Sequence, residues 1–127
     1  MTNYATVGSN RLEEAKGFYD ALLRLAGMSG IMEHPSGGRI YASADHRMFA
    51  VLGPFDGQPA TPGNGAMTGF LMKSRDQVRA FHAKALELGG NCEGEPGLRG
   101  PEEMNLYFAY VRDLDGNKLC AYRIGPE

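Results

Sequence analysis

The chain has no tryptophan and only two cysteines, Cys92 and Cys120, among its 127 residues. No CxxC pair occurs, so neither a disulfide framework nor a zinc-ribbon spacing is present, and two reduced thiols are expected. An excess of positive charge is missing too: thirteen Lys and Arg stand against fifteen Asp and Glu, for a net charge of −2. Without a cationic face the chain is expected to bind neither nucleic acid nor an anionic membrane surface. No run approaches the ~20 apolar residues that cross a bilayer. The first residues lack the basic-then-apolar order of a secretory leader, so a cytoplasmic protein is expected.

Several chemical signatures are also lacking. The glycines of Gly8 to Asn10 and Gly63 to Gly65 fit neither GxGxxG nor GxxxxGK, which argues against a phosphate-binding loop. There is no GxSxG and no local Ser-His-Asp signature. The histidines His34, His46 and His82 share no HxxxH or HxH spacing. His34 and His46 sit in turn-rich stretches and are expected in solvent, and His82 is expected at the edge of the exposed face of a helix. Cys92 is expected as a small buried hydrophobe at the start of a strand. Asp113 and Asp115 in RDLDGN lack the further acidic ligands of a calcium loop and read as a hairpin turn.

What the chain does have is glycine, eighteen residues, roughly twice the usual ~7% and suited to many tight turns. Asn3 to Ser9 reads as a strand. Asn10 is placed to cap a helix whose N3 residue is Glu13, and Leu12, Ala15, Tyr19, Leu22, Leu23 and Ala26 trace one buried helical face up to Gly27. Met28 to Glu33, Arg39 to Ser43 and Met48 to Leu52 read as a three-stranded meander. Gly53 to Gly65, with three prolines and four glycines, continues neither helix nor central strand and reads as a linker.

The second half repeats this order. Ala66 to Met72 reads as a strand, and Ser74 with Gln77 forms a capping box. A stripe of Val78, Phe81, Ala85 and Leu88 then runs to Gly89-Gly90. Asn91 to Gly94, Leu106 to Arg112 and Lys118 to Ile124 supply strands, with a turn at Asp113 to Gly116 before the last. Shifting the first half by 63 residues lays Ala15 on Val78, Phe18 on Phe81 and Gly27 on Gly90. Each half is therefore read as βαβββ.

The duplicated order, the opening YATVGSNRLEEAKGFYDALL, the central GPFDGQPATPGNG and the closing YFAYVRDLDGNKLCAY together resemble the vicinal oxygen chelate (VOC) superfamily. That superfamily includes glyoxalase I, extradiol dioxygenases and bleomycin or fosfomycin resistance proteins. The resemblance implies an α+β fold of the glyoxalase/bleomycin resistance/dihydroxybiphenyl dioxygenase type, with two βαβββ modules forming curled mixed sheets around a cleft. It implies a single domain over residues 1–127, with module 1 at about 1–53, the linker at about 53–65 and module 2 at about 66–127. It also implies a homodimer and a cleft in which a divalent ion is usually held by His and Glu.

Carried over position by position, those ligands fall on Tyr4, Met67 and Cys120, with Phe49 at a fourth place. None is an imidazole or a carboxylate, and a phenol, a thioether and a thiol suit hard divalent ions poorly. No metal and no other cofactor is therefore expected. Period-2 alternation places Tyr4 and Thr6 on one face of the first strand, Met67 and Gly69 on one face of the fifth, and Cys120 and Tyr122 on one face of the last. With Phe49, with Tyr107 or Tyr110, and with Arg39 or Arg112 at the rim, these residues are expected to line an aromatic, thioether-rich cleft. Such a lining suits a small, partly hydrophobic or aromatic molecule. No catalytic residue is assigned. Two alternatives stay open: a divalent-metal-dependent, lactoylglutathione lyase-like or dioxygenase-like enzyme using His34, His46 or Glu103 as displaced ligands, and a catalytically silent structural dimer.

Overall fold

A computed structural model describes residues 4–127. The expected start of the first strand at Asn3 lies outside the described residues. The first half forms β1 (Tyr4–Gly8), α1 (Leu12–Leu22) with a 3-10 turn at Leu23–Ala26, β2 (Met28–Glu33), β3 (Arg39–Ser43) and β4 (Met48–Leu52). The second half forms β5 (Thr68–Leu71), α2 (Arg75–Glu87), β6 (Asn91–Arg99), a short 3-10 turn at Glu102–Met104, β7 (Leu106–Arg112) and β8 (Lys118–Ile124). Two four-stranded sheets result, ordered β1-β4-β3-β2 and β5-β8-β7-β6. In each, the first strand runs parallel to the last and the other pairs are antiparallel. This is the α+β fold of two βαβββ units expected from the sequence.

Local chemistry explains most boundaries. Ser74 accepts a hydrogen bond from the Gln77 backbone N–H at 3.1 Å, and the Gln77 side chain accepts one from Lys73 at 2.8 Å, so the capping box reaches one residue further back than its usual form. Gly27 ends the first helical segment in the left-handed region, at φ 72°, where a Cβ would be strained. The start of α1 corrects the sequence reading. Arg11, not Asn10, is the N-cap, and no side chain caps it. The Asn10 amide is taken up by the linker, bonding both the N–H and the C=O of Ala60.

The helix-facing sides of the two sheets share one core. Its spine is a run of aromatic rings in which Phe18 meets Tyr19, Tyr19 meets Phe49, Phe49 meets Phe70 and Phe70 meets Phe81, with centroids 5.0–5.6 Å apart. That run passes from α1 through β4 and β5 to α2, so neither unit buries its apolar face alone. The β7–β8 turn adds a polar staple: Asp115 accepts from the Ser9 hydroxyl at 2.5 Å and from the Asn10 N–H at 2.9 Å, and the Asn117 amide donates to the Gly8 carbonyl. Among the described residues, no buried side-chain nitrogen or oxygen lacks a hydrogen-bond partner. No helix among them is long and apolar enough to cross a membrane.

Candidate functional site

A cavity of about 900 Å³ opens where β1 and β4 of the first sheet meet β5 of the second. Strand register explains its two-sided lining. Tyr4 pairs with Met48 and Ala5 with Phe49, so Tyr4 and Met48 share the face away from α1 while Phe49 looks toward the core. Buried Met28, Phe49, Phe70 and Met72 form the floor, and Tyr4 and Met67, 45% and 49% exposed, stand at the walls. Gly69 completes the β5 wall. A Cβ there would lie 3.1 Å from Cys120 Sγ and 3.3 Å from the Tyr122 ring, closer than side chains ordinarily pack.

The rim is charged. Arg47, Lys73, Arg123 and Asp45 all line the opening. Asp45 accepts from Ser43 at 2.5 Å and pairs with Arg47 at 3.2 Å, and the Ser43 bond leads in holding its carboxyl below the usual range. Lys73 has no carboxylate partner among the described residues, which leaves the opening with more positive than negative charge. These rim residues carry no motif. Arg47 follows a turn, Lys73 precedes a helix cap and Arg123 sits on the helix-facing side of β8, so only the tertiary structure brings them together.

Of the residues expected to line one cleft, Tyr4, Phe49, Met67 and Gly69 do line this cavity. Phe49 does so from below, with its ring held between Tyr19 and Phe70. Thr6 shares the face of Tyr4 but lies further along β1, outside the cavity. Tyr107 is a correction: buried residues alternate along β7, which turns Tyr107 toward α2, where it lies beneath the Arg75 and Arg79 guanidinium groups and its hydroxyl accepts from Arg79.

Tyr110, Cys120 and Tyr122 form a separate feature on the opposite face of the second sheet. Phe108 stacks on Tyr122 at 5.1 Å and on Tyr110 at 6.0 Å, and Arg99 and Lys118 lie over the Tyr110 ring. Cys120, opposite Tyr110 in the β7–β8 ladder, is only 2% exposed. Burial raises its thiol to about 11, against a smaller opposing pull from Lys118. Arg39 and Arg112 are not at the rim. Arg39 faces α1 and pairs with Asp20 and Glu33, while Arg112 pairs with Glu93.

The donor chemistry of the cavity does not fit a divalent ion. Its lining holds a single carboxylate, Asp45, and no imidazole. Cys120 lies outside it and is almost wholly covered by its neighbours. His34 bonds Ser36 in the β2–β3 turn, His46 is exposed with φ 67°, and Glu103 is exposed in the turn before β7; none lines the cavity.

Two further expectations are reversed. His82 is buried, at 4% exposure, and Cys92 is exposed. The packing of α2 across β6 and β7 rotates His82 inward beside Phe81, a degree of burial that the helical stripe alone did not require.

Comparison with known proteins places this geometry. Residues 2–121 match the family model described as the Glyoxalase/Bleomycin resistance protein/Dioxygenase superfamily. No curated protein matches. Among solved structures, the chain is similar to a glyoxalase/bleomycin resistance protein from Albidiferax ferrireducens, at 43% identity over 98% of this chain and 99% of that one, with a TM-score of 0.86. A glyoxalase/bleomycin resistance protein/dioxygenase family enzyme from Burkholderia phytofirmans shares the fold at 14% identity, covering 97% and 98% of the two chains with a TM-score of 0.73. A lactoylglutathione lyase from Agrobacterium tumefaciens shares it at 17% identity, covering 97% and 92% with a TM-score of 0.68.

Proposed function

The chain belongs to the glyoxalase/bleomycin resistance protein/dioxygenase superfamily, and on that premise we propose that it binds a small, partly aromatic or hydrophobic molecule carrying an acidic group, without the help of a metal in its cavity. The observation that carries this reading is the lining of the cavity between the modules. Aromatic and thioether side chains on floor and walls favour a flat apolar body through contact area. Arg47, Lys73 and Arg123 at the opening favour a negative group on the same molecule. A volume of about 900 Å³ is ample for a drug-sized ligand. A divalent-ion lyase or dioxygenase would need donors that this lining does not offer.

Anilinonaphthalene sulfonate, an anionic aromatic probe, tests the reading by fluorescence titration and by its effect on melting temperature. Binding at micromolar probe that weakens several-fold in Met67→Ala and in Lys73→Glu supports it. Binding that neither substitution alters, or no binding at all, overturns it and favours a silent structural role. A homodimer belongs to the same reading. Tyr4, Met67, Leu71 and Ile124 expose large apolar area on the faces away from the helices, and open sheet edges are commonly covered by a second chain. Light scattering is expected to give twice the 13.8 kDa chain mass; the monomer mass at micromolar concentration would refute the dimer.

A further inference from the structure

At the outer edge of the second sheet, His82, Cys92 and Glu95 converge. His82 Nε2 lies 3.3 Å from Cys92 Sγ, and Sγ lies 3.4 Å from Glu95 Oε2. All three donor atoms are within 4.8 Å of one another, the one such group of three or more His, Cys, Asp or Glu donors among the described residues. None of the three lines the cavity between the modules.

A regular strand would not build this cluster, because residues 92 and 95 stand an odd number of places apart and would project to opposite faces. The bulge in β6 removes the conflict. Cys92 is opposite Val111 and Gly94 is opposite Tyr110, so two steps along β6 match one along β7. That extra residue brings Glu95 back to the face Cys92 occupies, toward α2, where His82 waits on the buried side of the helix. The Glu95 carboxylate has no Lys, Arg or His nitrogen within 4.0 Å among the described residues. Arg99, its closest cationic neighbour by hydrogen bonding, is spent on the Glu95 backbone carbonyl. Its carboxylate instead faces a thiol.

We propose that His82, Cys92 and Glu95 are the three protein ligands of a zinc-type site, with an open fourth position toward solvent. Zinc takes imidazole nitrogen, thiolate sulfur and carboxylate oxygen, and tetrahedral coordination at ordinary zinc–ligand lengths separates such donors by about 3.4–3.6 Å. The observed 3.3 and 3.4 Å, both to sulfur, lie about 0.2 Å inside the ~3.5–3.6 Å of the sulfur pairs, so a slight opening of the cluster admits the ion. Magnesium and calcium demand oxygen ligands, so the nitrogen and sulfur donors select against them. Binding replaces the Cys92 S–H bond by a sulfur–metal bond and releases one proton to solvent. With Cys92 as thiolate and Glu95 ionised, the ligand set carries two negative charges, which a divalent ion neutralises. The bound ion would tie α2 to the edge strand β6.

The test uses chelator-stripped, chelator-free full-length protein titrated with zinc chloride by calorimetry and with cobalt(II) chloride by absorption. One equivalent of zinc should bind, and cobalt should give an intense near-ultraviolet band from thiolate-to-metal charge transfer. Cys92→Ser should abolish that band, and Cys92→Ser and Glu95→Gln should each weaken zinc binding by at least about tenfold. Both positions are exposed, so the folds of these variants are not in question, unlike that of a variant at buried His82. Tyr4→Phe and Met67→Leu should leave zinc binding unchanged. No zinc binding by the parent at micromolar concentration, or binding that Cys92→Ser leaves intact, would overturn the assignment while leaving the reading of the cavity untouched.

Discussion

The Tyr19 hydroxyl donates a 2.5 Å hydrogen bond to the Asp113 carboxylate, joining α1 of the first unit to the β7–β8 turn of the second across 94 residues of sequence. Both side chains are buried. Asp113 also accepts from the Asn117 backbone and side-chain amides and from the Asp115 N–H. One carboxylate therefore shapes the turn and anchors the opposite unit, a role that goes beyond the hairpin its sequence announces.

Tyr19→Phe keeps the ring in the aromatic spine and removes only the hydroxyl. A hydrogen bond to a charged acceptor is worth about 1.5–3 kcal/mol, and a loss of that size is expected as a lower urea midpoint at unchanged slope. Asp115→Asn, on the less buried bonds to Ser9 and Asn10, should cost less. A Tyr19→Phe midpoint equal to that of the parent would show that the Tyr19–Asp113 bond contributes nothing.

Alkaline pH should loosen the fold. Burial holds Tyr19 well above its ordinary phenol value of 10.0, and raises Tyr41 above it as well, while it pushes the Cys120 thiol from 9.0 up to about 11. In each case the unfolded chain ionises first, so the stabilisation is complete below the ordinary value and is lost as pH rises toward the folded one. Urea midpoints should be flat from pH 7 to about 8.5 and fall beyond about 9. Cys120→Ala should make the first part of that fall shallower, and a midpoint constant to pH 11 would contradict the assignment.

The two thiols should separate kinetically. A thiol with a pKa near 11 is only about one part in a thousand ionised at pH 8, and Cys120 is almost wholly covered. Ellman's reagent should label one thiol per chain promptly and the second only on unfolding. Cys92→Ser should remove the prompt phase; if Cys120→Ser removes it instead, the exposures assigned to the two cysteines are interchanged.

The two helix starts predict opposite responses. Ser74→Ala removes a formed cap and should cost about 1 kcal/mol. Asn10→Ala removes no cap, because the Asn10 side chain holds Ala60 instead. Its effect should appear as faster proteolysis or hydrogen exchange within the linker at 53–65, with the exchange of α1 amides unchanged. Equal protection of the linker in both proteins would remove that role from Asn10.

The sequence by itself determined the elements and their repetition. Apolar periods of 3.6 and 2 depend only on neighbours along the chain, as do glycine and proline breaks, so β2, β3, β4, β7 and β8 have the bounds read from the residues. Glycine at position 27 and serine at 74 likewise act within a few residues of themselves. The closing RDLDGN motif and the duplicated order marked the family; the resemblance pointed to Tyr4, Phe49 and Met67, alternation added Gly69 on the face of Met67, and all four line the cavity. Tertiary structure alone decided which faces meet. Alternation does not say which of two faces looks toward a helix, and Tyr107 and Tyr110 are divided by that choice. Two register shifts interrupt β6, and the first puts Glu95 on the face of Cys92, so their meeting could not be read from spacing. Burial is a property of what packs on top: α2 folding across β6 and β7 buried His82, and the shared aromatic core between the two units turned Asp113 from a turn residue into the link between them.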